Sequence, residues 1–246
     1  MLFRKKRKKK SYEISQSVQS FLSPEYQQIN VARLQHLQSL GFNFSGKNVL
    51  ELGAGIGDHT LFYLINNSII TPVEGREELV DYISRRFNID VVLQDLECDF
   101  VSKLKRPYLY DIAHCYGILY HLSDPEKFIR SVATLANCLI LETCVSLDGD
   151  EVNLVKENRN ESTQAINGTG CRPNRKWIFN KIMENFEYAY MPITQPKHVQ
   201  FPKIFKNVNQ TSQAGSRNIR AIFIGSNSPV ELKKLSENLV SEYHDW

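Results

Sequence analysis

Between residues 47 and 144 the chain alternates short apolar runs with longer amphipathic stretches. The apolar runs fall at 48–53, 69–74, 90–95, 110–116 and 137–144, with Val, Ile, Leu and Tyr recurring in them. Helix-length stretches cover roughly 58–66, 76–87 and 125–136. Near-continuous apolar strands spaced by helices predict βαβ units and a parallel sheet buried on both faces.

The flanks read differently. Ser23 as N-cap, Pro24 at the first helical position and Gly41 after the last turn predict a helix. Tyr26, Ile29, Leu37 and Leu40 share one of its faces, so this element is expected to lie against the sheet. Residues 146–172 are polar and loop-like, with Gly149, Gly168 and Gly170. A helix is predicted at about 174–185 and strands at roughly 187–193 and 219–226. The connection at 195–218 is long enough to suggest a functional loop. Ser228-Pro229-Val230-Glu231 reads as a capping box opening a last helix, with Leu232, Leu235 and Leu239 on one side. The resulting organisation is a basic tail at 1–10, a helical segment at 11–45, a main domain at 46–227 and a terminal helix at 228–246.

Composition narrows the class. The 246 residues are 42% hydrophobic, enough for one full core, and no window is apolar enough for a membrane span. Cys98, Cys115, Cys138, Cys144 and Cys171 show no paired metal spacing, so no metal site is expected. Three of them sit in apolar runs, as free thiols of a reducing cytoplasm would. The net charge of +3 belongs to the stretch RKKRKKK at 4–10; without it the chain has 23 basic and 27 acidic residues, a net −4. Such a block stays solvated, or grips an anionic surface such as RNA, phospholipid or an acidic glycan.

Candidate chemistry concentrates in VLELGAGIGD at 49–58. Gly53, Gly55 and Gly57 lie between a strand and a helix, where backbone N–H groups form a polar cradle. Asp58 stands where a dinucleotide fingerprint wants its third glycine, yet an NAD-binding fold remains the competing reading. Glu74 ends the second run, 17 residues after Gly57, placed to accept both hydrogen bonds of a ribose diol. Asp95 ends the third, placed to accept a hydrogen bond from an adenine amino group.

On these residues, and on YDIAHCYGILYHLSDP at 110–125, the chain resembles the class I S-adenosylmethionine-dependent methyltransferases. The likeness covers roughly 46–145 and more loosely 173–226. It implies a Rossmann-like seven-stranded sheet, mostly parallel with one antiparallel strand and helices on both faces. It also implies S-adenosylmethionine as cofactor, its methionine part at ELGAGIG, its ribose on Glu74 and its adenine facing Asp95. Glu51, Ala54, Gly75, Leu96, Tyr116 and Tyr120 are expected beside it; Glu51 suits a cationic sulfonium better than a pyrophosphate. GILYHLSDP (117–125) and LILETCVSLDGDE (139–151) further resemble the enzymes that carboxymethylate wobble uridine in bacterial tRNA. The resemblance matches that family's fourth-strand tyrosine to Tyr120, and its arginine opening the last strand, a contact for the carboxylated cofactor, to Arg220. The likeness does not extend to that family's N-terminal domain or to the loop at 152–172, so ordinary S-adenosylmethionine is the expectation.

Methyl transfer requires alignment of acceptor, methyl and sulfur, plus a base when the acceptor is a hydroxyl. His121, with Tyr120 beside it, follows the fourth strand at the edge where ligands of open α/β sheets bind, and Glu142 ends the fifth. His121 is the candidate base, with a capping or packing histidine as the alternative; His59 is a weaker candidate. The residues leave three readings open: a small-molecule or glycan O-methyltransferase, an RNA-modifying relative, and a binding protein without turnover. Basic and aromatic residues interleave at Tyr188, Tyr190, Lys197, His198, Lys203 and Lys206, either as ordinary strand composition or as a binding stretch.

Overall fold

The computed structural model describes residues 14–104, 106, 108–147, 152–205 and 218–245, so the basic tail, Gly149 and Lys206 lie outside the described residues. Five strands come first: β1 (Asn48–Leu52), β2 (Ile69–Glu74), β3 (Val92–Leu93), β4 (Tyr110–Tyr116) and β5 (Ala136–Cys144). A hairpin follows, β6 (Val152–Lys156) with β7 (Thr169–Pro173), and then β8 (Tyr188–Pro192), β9 (Arg220–Ser226) and β10 (Leu235–Ser236). The hairpin pairs only with itself; the other eight form one sheet in the order β10-β8-β9-β5-β4-β1-β2-β3. Strands β1 to β5 pair in parallel, and β9 runs antiparallel to both β5 and β8. This is the expected Rossmann-like sheet, widened at one edge by the two-residue β10.

Strand periodicity divides the core. Ala221 and Phe223 of β9, Leu139 and Leu141 of β5, and Leu50 and Leu52 of β1 pack on one face. There they meet α6 (Pro125–Ala133) and α7 (Arg175–Asn185) through Phe128, Ile129, Ile178 and Ile182. Ile222, Ile224, Ile140 and Val49 turn to the other face, against Ile29, Leu37 and Leu40 of α2 (Pro24–Leu40) and Tyr63 of α3 (Asp58–Ile65). Val18 and Phe21 of α1 (Gln16–Phe21), Ile56 and Leu79 of α4 (Glu77–Phe87) form a third cluster beside the glycine loop.

The predicted terminal helix is absent. Ser226 Oγ donates to the Ser228 carbonyl and accepts the Ser228 N–H, making a turn where the capping box was read. The Val230 N–H then donates to the Tyr190 hydroxyl, and Leu235–Ser236 pair antiparallel with Met191 and Pro192. Strand β8 would otherwise present open backbone groups at the sheet edge, and covering them outweighs the modest local helix preference. The third strand is shorter than the apolar run, which leaves Asp95 in the turn beyond it.

His36 shows what this packing does to titration. It is fully buried on α2, its Nε2 3.0 Å from both the carbonyl and the hydroxyl oxygens of Thr194, and burial lowers its pKa to about 4. The unfolded chain, with an imidazole pKa of about 6.5, binds the extra proton first, so stability is lost as pH falls from that value toward the folded one. Glu51, raised to about 8 by burial, acts in the opposite sense, so a difference isolates the histidine. Urea unfolding at pH 7 and pH 5 should show a smaller loss for His36→Gln than for the parent chain; equal losses would contradict a neutral buried His36.

Candidate active site

Gly53, Gly55 and Gly57 all carry positive φ, at 81°, 58° and 82°. Two of them have no space for a side chain either. A Cβ on Gly55 would stand 3.0 Å from the Phe21 ring, and one on Gly57 would stand 2.6 Å from Phe87. The Gly55 N–H donates to Glu74 Oε2 at 2.9 Å, while Oε1 accepts the N–H groups of Gly75 and Arg76 at 2.8 and 3.0 Å. Three backbone donors thus fix the carboxylate at the end of β2, although burial raises its pKa.

A cleft opens along this edge. Its floor is Gly53, Gly55, Glu74 and Gly75, then Asp95 and Leu96, then Tyr116, Gly117, Tyr120 and His121. Phe21 and Tyr26 wall one side, and residues 162–166 of the loop between β6 and β7 form the roof. That loop is tied down from below: the Arg76 guanidinium donates to the carbonyls of Glu161 and Gln164 at 3.0 and 3.1 Å. The Ser162 hydroxyl donates to the Ser17 carbonyl at 3.2 Å. The stretch read from sequence as a plain polar loop is therefore a hairpin.

His121 ends a 3-10 turn, Leu119–His121, after β4. Its Nδ1 lies 2.5 Å from Glu157 Oε2, and its ring centroid 3.9 Å from that of Tyr120. Burial lowers the His121 pKa despite Glu157, which leaves the imidazole neutral near pH 7. The Tyr120 hydroxyl accepts from Arg220 Nη2 at 3.1 Å. Arg220 Nη1 donates to Glu142 Oε1 at 3.1 Å, and Arg33 Nη2 on α2 donates to Glu142 Oε2 at 2.7 Å. Glu142 is 0% exposed and both its oxygens are engaged by guanidinium groups.

A second polar chain crosses the core. Tyr63 Oη is 2.9 Å from His114 Nδ1, and His114 Nε2 is 2.9 Å from His59 Nδ1. The Tyr63 proton has no other acceptor among the described residues, so Tyr63 donates to His114 and His114 to His59. His59 Nε2 then carries a proton. Burial lowers the His59 pKa to about 3 and that of His114 well below its usual value, so both rings stay neutral. His59 Nε2, the Tyr116 hydroxyl and Arg33 Nε are buried and have no partner among the described residues. His59 and Tyr116 line a small cavity with Gly53, Ala54 and Tyr26, and Arg33 Nη2 lies 3.5 Å from a Cβ built on Gly117. Two orphaned groups able to donate, His59 Nε2 and the Tyr116 hydroxyl, line that cavity beside the glycine loop and suit a carboxylate.

Residues 25–190 match the family described as methyltransferase domain. The chain belongs to that family. This methyltransferase is 30% identical over 112 residues to a ubiquinone biosynthesis O-methyltransferase of Coxiella burnetii, a match covering 44% of this chain and 46% of the relative. The Bordetella pertussis protein of that name gives 30% over 111 residues, with the same coverage. The chain therefore spans about half the length of the curated relatives it matches. Among solved structures, the N-terminal domain of EvdMO1 in the presence of SAH and D-fucose is similar with a TM-score of 0.59 at 21% identity, covering 81% of this chain and 83% of that one. Magnesium protoporphyrin IX methyltransferase (ChlM) from Synechocystis PCC 6803 with bound SAM gives 0.53 at 15%, covering 88% and 86%. These likenesses show the fold, and two of the similar structures were crystallised with SAH or SAM bound. They lend no support to the resemblance to the tRNA wobble-uridine enzymes.

Of the residues picked from sequence, the structure brings Gly53, Gly55, Glu74, Gly75, Asp95, Leu96, Tyr116, Tyr120 and His121 to one cleft, with Ala54 in the adjoining cavity. Glu51, bonded to the Thr60 hydroxyl, and Gly57, the N-cap of α3, line neither. Glu142 and Arg220 lie behind Tyr120 as an ion group rather than in the cleft. Arg33 and Glu157 were missed. The Arg33–Glu142–Arg220 group gives a direct expectation: Glu142→Gln leaves two buried guanidinium groups without a carboxylate and costs about 3–5 kcal/mol. Urea unfolding at pH 7 reads this; a loss below about 1 kcal/mol would mean that water reaches the group.

Proposed function

We propose that this methyltransferase transfers a methyl group to a hydroxyl of a small molecule or glycan, with His121 as general base. The observation that carries the reading is the geometry of His121: a neutral imidazole lining the cleft, one nitrogen held by a carboxylate, packed on Tyr120. The relatives named as O-methyltransferases support an oxygen acceptor. S-adenosylmethionine, when bound, supplies a sulfonium methyl open to in-line displacement. Glu74 is assigned to the ribose hydroxyls and Asp95 with Leu96 to the adenine. His59 Nε2–H and the Tyr116 hydroxyl are assigned to the methionyl carboxylate. Tyr120, cross-linked to Arg220, holds the aromatic wall against which the acceptor hydroxyl meets the methyl carbon. No helix among the described residues is long and apolar enough to cross a membrane, and the cysteine thiols are free, which supports a place in the cytoplasm.

Two measurements test this. Calorimetry should show S-adenosylmethionine binding that Glu74→Ala weakens at least tenfold, about 1.4 kcal/mol; unchanged affinity would remove the ribose assignment. A mass-spectrometric screen with labelled cofactor should find a methylated hydroxyl on a sugar or small molecule, and His121→Ala should lower its kcat by about 10²–10⁴-fold with cofactor affinity retained. Label appearing on RNA instead would overturn the acceptor class, and full turnover by His121→Ala would overturn the base.

A further inference from the structure

The hairpin that roofs the cleft also reaches the proposed base. We infer that Glu157 is the positioning residue of His121, presented by the roof so that closing the cleft also sets Nε2 as the proton acceptor. The inference rests on the reading of His121 as base. An ionised carboxylate can only accept, so the 2.5 Å contact with Glu157 Oε2 places the imidazole proton on Nδ1 and leaves a lone pair on Nε2. Nε2 has no hydrogen-bond partner among the described residues, and the ring lines the cleft.

Glu157 is itself held from several sides. Its side chain is 3% exposed, Oε2 also accepts the Ala165 N–H at 2.8 Å, and Oε1 lies 3.3 Å from Arg172 Nη1 on β7. Gly170 leaves room for it and for the Tyr120 backbone, since a Cβ there would stand 2.7 Å from Glu157 Oε1 and 2.4 Å from the Tyr120 carbonyl oxygen. Glu157 opens the loop whose far end, Ala165 and Ile166, lies over the cleft, and whose middle is pinned by Arg76, two residues after Glu74. One loop therefore joins the ribose end of the cleft to the base. The charged groups acting on His121 are Glu157 from the loop, Arg172 from β7 and Arg220 from β9, and only the first favours the imidazolium.

In the step, the acceptor oxygen forms its bond to the methyl carbon as its proton passes to His121 Nε2. The carbon–sulfur bond breaks with its electron pair on sulfur, and the Glu157 carboxylate stabilises the imidazolium until the proton leaves to solvent. The base works only when neutral, so kcat rises with pH through the His121 pKa. Removing the Glu157 charge makes the neutral form easier to keep and moves that acid limb to lower pH.

The test is the pH profile of kcat for Glu157→Gln and Glu157→Asp, with cofactor affinity and melting temperature measured alongside. Glu157→Gln should lower the plateau by about 10- to 100-fold and shift the limb to lower pH, with cofactor affinity retained. Glu157→Asp, which keeps the charge, should return the limb toward its original position and recover part of kcat. If Glu157→Gln does not fold, Glu157→Asp carries the test: a lowered plateau with the limb near its original position is expected, and an unchanged plateau would count against the inference. Loss confined to cofactor affinity with an unmoved limb would make Glu157 a roof residue only, against the inference. If His121→Ala keeps turnover, the base reading itself fails; if His121→Ala loses it while Glu157→Gln keeps both plateau and limb, the positioning role alone fails.

Discussion

The carboxylate of Glu142, buried between Arg33 and Arg220, joins three elements that share no local sequence: α2, β5 and the antiparallel β9. Its position follows from strand periodicity. Glu142 is two residues beyond Ile140 and Arg220 two before Ile222, so both point to the face that α2 covers. Taking three charges out of water is costly, and the cost is offset only if every partner stays in place. That condition fixes the register of α2 over the sheet. It also fixes Tyr120, whose hydroxyl takes a hydrogen bond from Arg220 and whose ring faces that guanidinium at 4.8 Å. The wall of the cleft, and His121 beside it, therefore inherit their positions from an ion group that does not touch the cleft.

The group also carries more positive than negative charge, two guanidinium groups against one carboxylate. An anion near Arg33 would balance it; Asn30, which accepts from Arg33 Nη1, lines the same small cavity as His59 and Tyr116. The Tyr63–His114–His59 chain gives this arrangement a direction. Neutral rings cost less to bury than charged ones, and a hydroxyl at the far end forces each proton toward the glycine loop. A polar chain through an apolar layer is thus used to present one N–H donor without bringing a charge with it.

Local and distant constraints explain what could be read from the sequence. The first five strands, the glycine loop and Glu74 are set by periodicity and by spacing within one βα unit, and they stand where the pattern placed them. Arg33 left a weaker sign: it sits four residues after Ile29 and four before Leu37, a charge in the middle of an apolar stripe. Its partner lies 109 residues away, which no local pattern reveals. Glu157 left no sign at all, because its meaning depends on a hairpin of two short strands, of which β6 is largely exposed. At the C-terminus the local rule pointed the wrong way: the capping box was present, but the open edge of β8 took the segment as a strand.

The same division separates donor from acceptor. The proposed cofactor side is built from strand ends and backbone amides, features that any sheet of this winding provides and that fall within the matched residues 25–190. The proposed acceptor side, Tyr120 and His121, lies in the same range but is braced by side chains from outside it. Arg220 begins β9, and its Nε donates to Gln200 Oε1 at 2.6 Å, so both residues that brace Tyr120 come from the last quarter of the chain. Under the proposed reading, the preference for an acceptor should therefore be set by two segments, the hairpin loop over the cleft and the Gln200–Arg220 brace behind Tyr120. A change of acceptor among relatives with the same strand ends would need only these two segments to differ, while the glycine loop, Glu74 and the buried ion group stay as they are.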